Sequence, residues 1–250
     1  MPEVTTSPDG ILRLPEDFLA RRRLTNPMRY WLDERDGQLI LHPRRPDIHK
    51  LYIEPTTICN LHCRTCIRNI WEDPIEHMSL ETFQNLVAGI HELPELKRVV
   101  FTSFGEPFAQ PHLLDMIAAL REFDLAVTVG TNGLLLRPQT ARELVRLGVD
   151  RVVVSIDGGK PETFASVRGT MLSRVIEGIQ QLNAAKRQLG SLYPSLQVEF
   201  VALNSNVDEL EDLAKLAQQL GVSRLLVSHV LPYTPELYAE KLYSYHPVPP

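Results

Sequence analysis

All three cysteines of this chain, Cys59, Cys63 and Cys66, fall in one short segment, TTICNLHCRTCIRN, residues 56–69. A loop or a single turn can aim sulfurs at this spacing toward one centre, and thiolates suit zinc or an iron–sulfur cluster. A structural zinc site normally closes with four protein ligands, commonly as two separated hooks, and no second hook exists here. His62 is adjacent to Cys63 and is expected to point away from the shared centre, as a surface or supporting residue. Three cysteines without a fourth leave one metal position open, which is what chemistry on a bound small molecule needs. Three thiols cannot all pair, and cytosolic thiols are normally kept reduced, so a disulfide framework is a poor account of them.

The chain that must position these sulfurs has 250 residues, 44% hydrophobic and 23% charged, the ordinary balance of a soluble globular protein with one sizeable core and a small appendage, or two modest domains. Lys plus Arg number 26 against 31 Asp plus Glu, a formal net charge of -5, so the balance does not advertise nucleic-acid binding. No apolar run approaches the ~20 residues of a membrane helix, and the polar opening MPEVTTSPDG lacks the apolar stretch of a secretory signal. A cytoplasmic location with no membrane partner is the expectation.

From Lys50 onward, short Val- and Ile-rich runs alternate with segments of helical period. KLYIEPT, RVVFTS, LAVTVGT, RVVVSID, LQVEFVAL and RLLVSHVL read as strands, and each of the first five precedes a helix such as LETFQNLVAGIHEL or SRVIEGIQQLNAAKRQL. Ser79 and Asn206 stand at helix entrances, and Gly148 and Gly221 stand where helices should end. Strands alternating with helices predict an α/β fold with a parallel sheet, doubly wound or bent into a full or partial barrel. Ligands in such folds gather at the carboxyl ends of the strands, and the cysteine segment lies just past the first of these ends.

Residues 1–45 differ in character: short β-like runs flank a small helix, with turn signals at Asp9-Gly10 and Asp36-Gly37, and the Pro43 to Pro46 stretch reads as a linker. A hairpin, then LPEDFLARRRL, then MRYWLDERDGQLILHP resembles the AbrB-like swapped-hairpin domain, which implies assembly by strand exchange between two chains. Its cluster Arg21, Arg22, Arg23 is small, so a solvated helix face or a device for homodimerisation is favoured over DNA binding. Residues 244–250 read as a proline-rich tail or a cut edge.

Cys-x3-Cys-x2-Cys after a first strand, within repeated strand–helix units over residues 50–243, resembles the radical S-adenosylmethionine (radical SAM) enzymes. The resemblance implies a partial (β/α)6 TIM-type barrel and a [4Fe-4S] cluster on Cys59, Cys63 and Cys66. S-adenosyl-L-methionine would chelate the fourth iron, and reductive cleavage would give a 5′-deoxyadenosyl radical. SFGEPF, residues 103–108, is similar to the family's Gly-Gly-Glu-Pro loop, with Phe104 in place of the first glycine; Gly105 and Glu106 are implied for the methionyl amine. SIDG followed by ASVRG implies Ser155 at the ribose and Arg168 at the methionyl carboxylate, with Asp157 nearby or capping the following turn. Thr131 and Asn132 in TNG face substrate or cofactor, or form an ordinary turn, and Val201 and Asn204 are implied near adenine. Thr65 stands where the family commonly has an aromatic residue, so adenine stacking must come from another side chain.

CRTCIRNIW and SHVLPYTPELYAEKLY resemble the maturases that accompany tungsten-containing aldehyde oxidoreductases, thought to modify a pterin cofactor or assist its insertion. The resemblance implies a reductant protein such as ferredoxin or flavodoxin and a tungsten or molybdenum oxidoreductase as partners. A peptide-modifying or other cofactor-building radical SAM enzyme is the alternative, and a zinc-binding regulatory or structural protein is the alternative of another class. Without cysteines for auxiliary clusters, the chain either works with one cluster or lacks a C-terminal part.

Overall fold

The structure, a computed structural model, describes residues 5–6, 8, 12–21, 30–43, 48–102 and 104–243. It divides into two compact units, residues 1–47 and 48–250. In the first, strand β1 (Thr5–Thr6) pairs antiparallel with β2 (Leu12–Arg13), helix α1 (Glu16–Arg21) follows, and β3 (Tyr30–Arg35) pairs antiparallel with β4 (Gln38–Pro43). The second hairpin turns at Asp36 and Gly37, with φ of 52° and 72°, the paired positive angles of a type I′ turn that Asp-Gly favours. The Asp9-Gly10 turn, Arg22 and Arg23, the linker at residues 44–46, Ser103 and the tail at 244–250 lie outside the described residues.

The second unit runs β5 (Lys50–Ile53), α2 (Leu80–Ile90), β6 (Arg98–Phe101), α3 (Leu113–Ala119), β7 (Ala126–Thr131), α4 (Pro138–Arg146) and β8 (Arg151–Ser155). It continues through α5 (Pro161–Arg168), α6 (Leu172–Gln188), β9 (Ser195–Ala202), α7 (Leu210–Gln219), β10 (Arg224–His229) and the short α8 (Pro235–Tyr238). The six strands form one parallel sheet in the order β10-β9-β8-β7-β6-β5, the succession expected of consecutive right-handed crossovers. β5 and β10 do not pair, so the barrel is partial.

Alternation along the strands assigns the two faces. Val99, Phe101, Val127, Val129, Val152, Val154, Val198 and Phe200 are fully buried on the helix side, against Phe83, Met116, Leu144, Val175 and Leu182. Each such side chain contributes about 1.5–3 kcal/mol by leaving water. The intervening residues line a cavity on the other face. Ser79 caps α2 by accepting from the Thr82 backbone N–H at 3.0 Å, and Gly148 and Gly221 take φ of 64° and 70° at the ends of α4 and α7. Asn206 behaves differently from an ordinary cap. It is buried, accepts from the Leu203 backbone N–H at 2.7 Å, and donates to the Asp157 and Val201 carbonyls. Helix α5 was not expected, because PETFASVR has too weak an apolar period to announce itself.

Two helical glycines test this packing. A Cβ on Gly178 in α6 would sit 2.3 Å from the Gly133 carbonyl oxygen, whereas one on Gly89 in α2 would meet nothing within 4 Å. Gly89→Ala is expected to stabilise by about 0.5–1 kcal/mol through helix propensity. Gly178→Ala is expected to destabilise by about 1–3 kcal/mol through overpacking. Urea unfolding of the two variants beside the parent measures both; equal shifts would contradict the close approach of α6 to the loop after β7.

Candidate functional site

Past the carboxyl end of β5 the chain makes a loop whose cysteines all face one cavity of about 860 Å³, lined by alternate residues of all six strands. The loop is fixed from several sides. The Arg64 backbone N–H donates to the Val167 carbonyl at 2.8 Å, and its guanidinium bonds Glu240 at 2.7 Å and Ser205 at 3.1 Å. The Asn69 side-chain amide donates to the Cys63 carbonyl at 2.9 Å. His62 is exposed and does not line the cavity.

Cys59, Cys63 and Cys66 are all free thiols. Polar neighbours point at two of them: Asn132 Nδ2 lies 3.8 Å from Cys59 Sγ, and an Arg168 guanidinium nitrogen lies 3.7 Å from Cys63 Sγ. Burial pushes the Cys59 thiol up, with Glu106 and Cys66 adding to the rise. Burial also pushes Cys63 up, and Arg168 offsets part of that rise. Metal uptake must therefore displace protons from these sulfurs. Among the described residues, no three His, Cys, Asp or Glu side chains gather closely enough to hold a single metal ion. The three cysteines share the lining of one cavity without forming a single-ion site. Three thiols, hydrogen-bond donors beside two of them and no fourth cysteine fit a cluster whose irons are spread over several corners, with one corner left to another ligand.

The loop from Phe104 to Phe108 sits directly against the cysteine loop. A Cβ on Gly105 would fall 2.4 Å from the Thr56 carbonyl oxygen and 2.6 Å from that of Ile58, so glycine is required by backbone meeting backbone, not only by access to a ligand. The Glu106 N–H donates to the Ile58 carbonyl at 2.8 Å. Its carboxylate, 1% exposed, accepts from Thr131 Oγ1 at 2.7 Å, the Asn132 N–H at 2.7 Å and the Phe108 N–H at 3.2 Å. Burial pushes this carboxyl up to about 6, against the pull of those donors. Three of its roughly four acceptor positions are occupied from within the protein, which leaves about one for a ligand.

Asp157 is fully buried and does not itself line the cavity. Its Oδ2 lies 2.6 Å from Arg168 Nε, an ion-pair contact off the line of a hydrogen bond, and its Oδ1 accepts from the Val201 N–H at 2.8 Å. Burial alone would lower the Arg168 pKa, but Asp157 and Cys63 outweigh it and hold the guanidinium charged. Gly105, Glu106, Thr131, Asn132, Ser155, Arg168 and Val201 therefore share one cavity with the cysteines. Asn204 is exposed and outside it, its backbone N–H bonded to the Glu240 carbonyl.

Several lining residues escaped the sequence reading: Tyr52, Glu199 and Tyr233 also face the cavity, as does Phe104. Burial, then Asp157, pushes the Glu199 carboxyl up. The signal that could have found Tyr52 and Glu199 is period two counted inward from strand ends, usable only once the sheet is known to curve. Phe104 lies edge-on to Trp71 at 5.5 Å and supplies an aromatic surface near Cys66 that Thr65 does not.

No helix among the described residues is long and apolar enough to cross a membrane. A protein from Pyrococcus furiosus named as a tungsten-containing aldehyde ferredoxin oxidoreductase cofactor-modifying protein is 35% identical over 78% of this chain and 55% of its own length. The GTP 3',8-cyclase of Heliobacterium modesticaldum is 34% identical over 69% of this chain and 52% of its own. The chain thus spans about half the length of these relatives. Streptococcus suis SuiB bound to S-adenosylmethionine shares the fold, with a TM-score of 0.65 at 17% identity, covering 78% of this chain and 44% of that one. The sequence profile of the radical SAM superfamily matches residues 53–217, from the end of β5 into α7, and the chain belongs to that superfamily, whose cofactors are a [4Fe-4S] cluster and S-adenosylmethionine.

Proposed function

We propose that this chain carries the catalytic core of a radical SAM enzyme that reductively cleaves S-adenosylmethionine and abstracts hydrogen from a substrate, to mature the pterin cofactor of a tungsten or molybdenum oxidoreductase. The observation that carries the chemistry is the set of three free cysteines, without a fourth, on the wall of the cavity formed by six parallel strands. Support for the substrate class is the 35% identity to the Pyrococcus furiosus cofactor-modifying protein. The cyclase relative keeps another cofactor-building reaction as the second reading.

In this reading Cys59, Cys63 and Cys66 hold the cluster, which supplies an electron to the cofactor's sulfonium when bound. The protein's own residues bind, orient and exclude water. Glu106 offers its remaining acceptor position to the methionyl ammonium, beside the Gly105 backbone. Arg168, aimed by Asp157, takes the methionyl carboxylate as a fork. Ser155 bonds the ribose, Thr131 and Asn132 form the adjoining wall, and Val201 borders the adenine. A ferredoxin or flavodoxin in the cytoplasm delivers the electron. The two-stranded hairpin β3–β4 is marginal by itself in water, and exchange or pairing with a second copy through residues 1–45 would stabilise it, giving a homodimer.

Cys63→Ala is expected to lose the brown iron–sulfur absorbance after anaerobic reconstitution and to form no deoxyadenosine under dithionite, with its far-ultraviolet circular dichroism unchanged. A colourless parent protein that takes up stoichiometric zinc instead would overturn the reading. Glu106 also predicts a pH dependence. Its folded pKa of about 6 lies above the ordinary 4.5, so its protonation favours the fold below about 4.5, and that contribution is lost as pH rises through 6. Ammonium binding needs the ionised form. Calorimetric affinity for S-adenosylmethionine should therefore rise between pH 5 and 7, and Glu106→Gln should weaken it about tenfold or more at pH 7 while flattening the rise. Unchanged affinity in that variant would remove Glu106 from the cofactor site.

A further inference from the structure

Each strand of the barrel sends alternate side chains into the cavity. The first to do so on β5 through β10 are Lys50, Arg98, Thr128, Arg151, Gln197 and Arg224. This layer contains four cations, two neutral hydrogen-bonding groups and no acid. It lies at the amino ends of the strands, opposite the cysteines; along β8 about 13 Å of chain separates Arg151 from Ser155 at the other end. Ladder pairing sets Lys50 directly beside Arg98, Thr128 beside Arg151, and Gln197 beside Arg224.

Cations at strand ends are often no more than solvated surface. Three features separate this layer from that case. Thr128 and Gln197 are buried, Arg151 is half-buried, and Lys50, Arg98 and Arg224 are exposed at the open end; all six nonetheless line the one cavity, where a closed barrel of this type would be filled with Val, Ile and Leu. Among the described residues, Arg98, Arg151 and Arg224 make no ion pair, and Lys50 donates only to Tyr52 Oη at 3.1 Å. The carboxylates of the cavity, Glu106 and Glu199, sit farther along the strands, Glu106 with its acceptors engaged at the cysteine loop and Glu199 opposite Ser155 and Leu226. Like charges facing one space repel, and a multiply charged anion relieves the repulsion while arginine forks fit its paired oxygens.

We propose that this layer binds the phosphate or pyrophosphate group of a small-molecule substrate, so that the rest of the molecule extends toward the cysteine end. The cavity, about 860 Å³, is in the upper part of the range that accepts a ligand of that size. This assignment deepens the functional reading above and rests on it for the idea that substrate enters the same cavity, but its binding chemistry can be tested separately.

The test is calorimetric titration of the full chain, without cluster or cofactor, with inorganic pyrophosphate at low salt. The parent and Arg146→Gln, whose arginine lies on the exposed side of α4 beside Glu143, should bind equally. The double variant Arg98→Gln, Arg151→Gln should bind at least about tenfold more weakly with an unchanged melting temperature. Arg224→Gln, at an exposed position on an edge strand, should lose several-fold and serves if the double variant does not fold. Equal pyrophosphate affinity in all folded variants overturns the proposal, as does displacement of pyrophosphate by an acidic peptide at matched charge, which would make the ligand a peptide. Deoxyadenosine formed by the reconstituted Arg146→Gln protein without substrate should equal the parent's. Loss of pyrophosphate binding with no cofactor cleavage by any form sinks the radical reading and leaves the anion site; normal cleavage with unaltered pyrophosphate binding does the reverse.

Discussion

Burying a carboxylate is costly unless donors replace the water it gives up. Glu106 meets that condition with a hydroxyl and two backbone N–H groups drawn from its own loop and the loop after β7, while its own N–H reaches the carbonyl of Ile58 just before Cys59. One buried acid thus ties together the turns that follow β5, β6 and β7. Asn132, fixed at its backbone by Glu106, directs its side-chain amide to Asn60 at 2.8 Å and toward Cys59. The environment of the first sulfur therefore depends on a carboxylate that reaches it through the backbone of Asn132.

A second acid repeats the arrangement across the barrel. Asp157 holds Arg168 through one oxygen and the β9 backbone through the other, and Arg168 meets Cys63. Asn206 in turn fixes the Asp157 and Val201 carbonyls, and the buried Glu209 accepts from the backbone of Gly159 and Lys160 and from Thr163 to anchor the start of α5. A buried pair of this kind adds little net stability over an apolar substitute, but removing one partner costs several kcal/mol. Its value here is positional: it keeps a cation beside a sulfur that burial would otherwise discourage from ionising.

The alternation of strands and helices, and the cysteine segment at a strand's carboxyl end, were readable from the residues because both are local patterns. Gly105 and Glu106 were readable as a loop of consequence, yet the reason for the glycine was not, since the backbone it meets is nearly fifty residues away in sequence. Asn206 looked like a helix cap because Asn before an acidic turn usually is one; tertiary contacts with Asp157 claimed its side chain instead. The cationic layer was hidden for a different reason. Lys50, Arg98, Arg151 and Arg224 each open an apolar run, and a flat sheet covered by helices on both faces would have spread the same residues along one edge. Only the curvature of the sheet, with no helix among the described residues lying inside it, turns strand openings into a shared surface.

That curvature also divides the work of each strand. Val152 and Val154 pack outward into a core with no exposure, while Arg151, Val153 and Ser155 face the cavity from the same five residues; β9 does likewise with Val198 and Phe200 against Gln197, Glu199 and Val201. Stability resides in the outer set, where apolar burial is continuous from β5 to β9 and the helices close over it. Apart from Val201, which packs against the smaller cluster of Val167, Leu203, Val230 and Leu237, the inner residues of these strands are not part of an apolar core and can meet ligands. Substitutions on the inner face should consequently alter binding with little change in folding, and those one residue along the strand should do the opposite. A barrel left open between β5 and β10 makes this separation possible, because the closed parallel barrel packs its interior with layers of side chains.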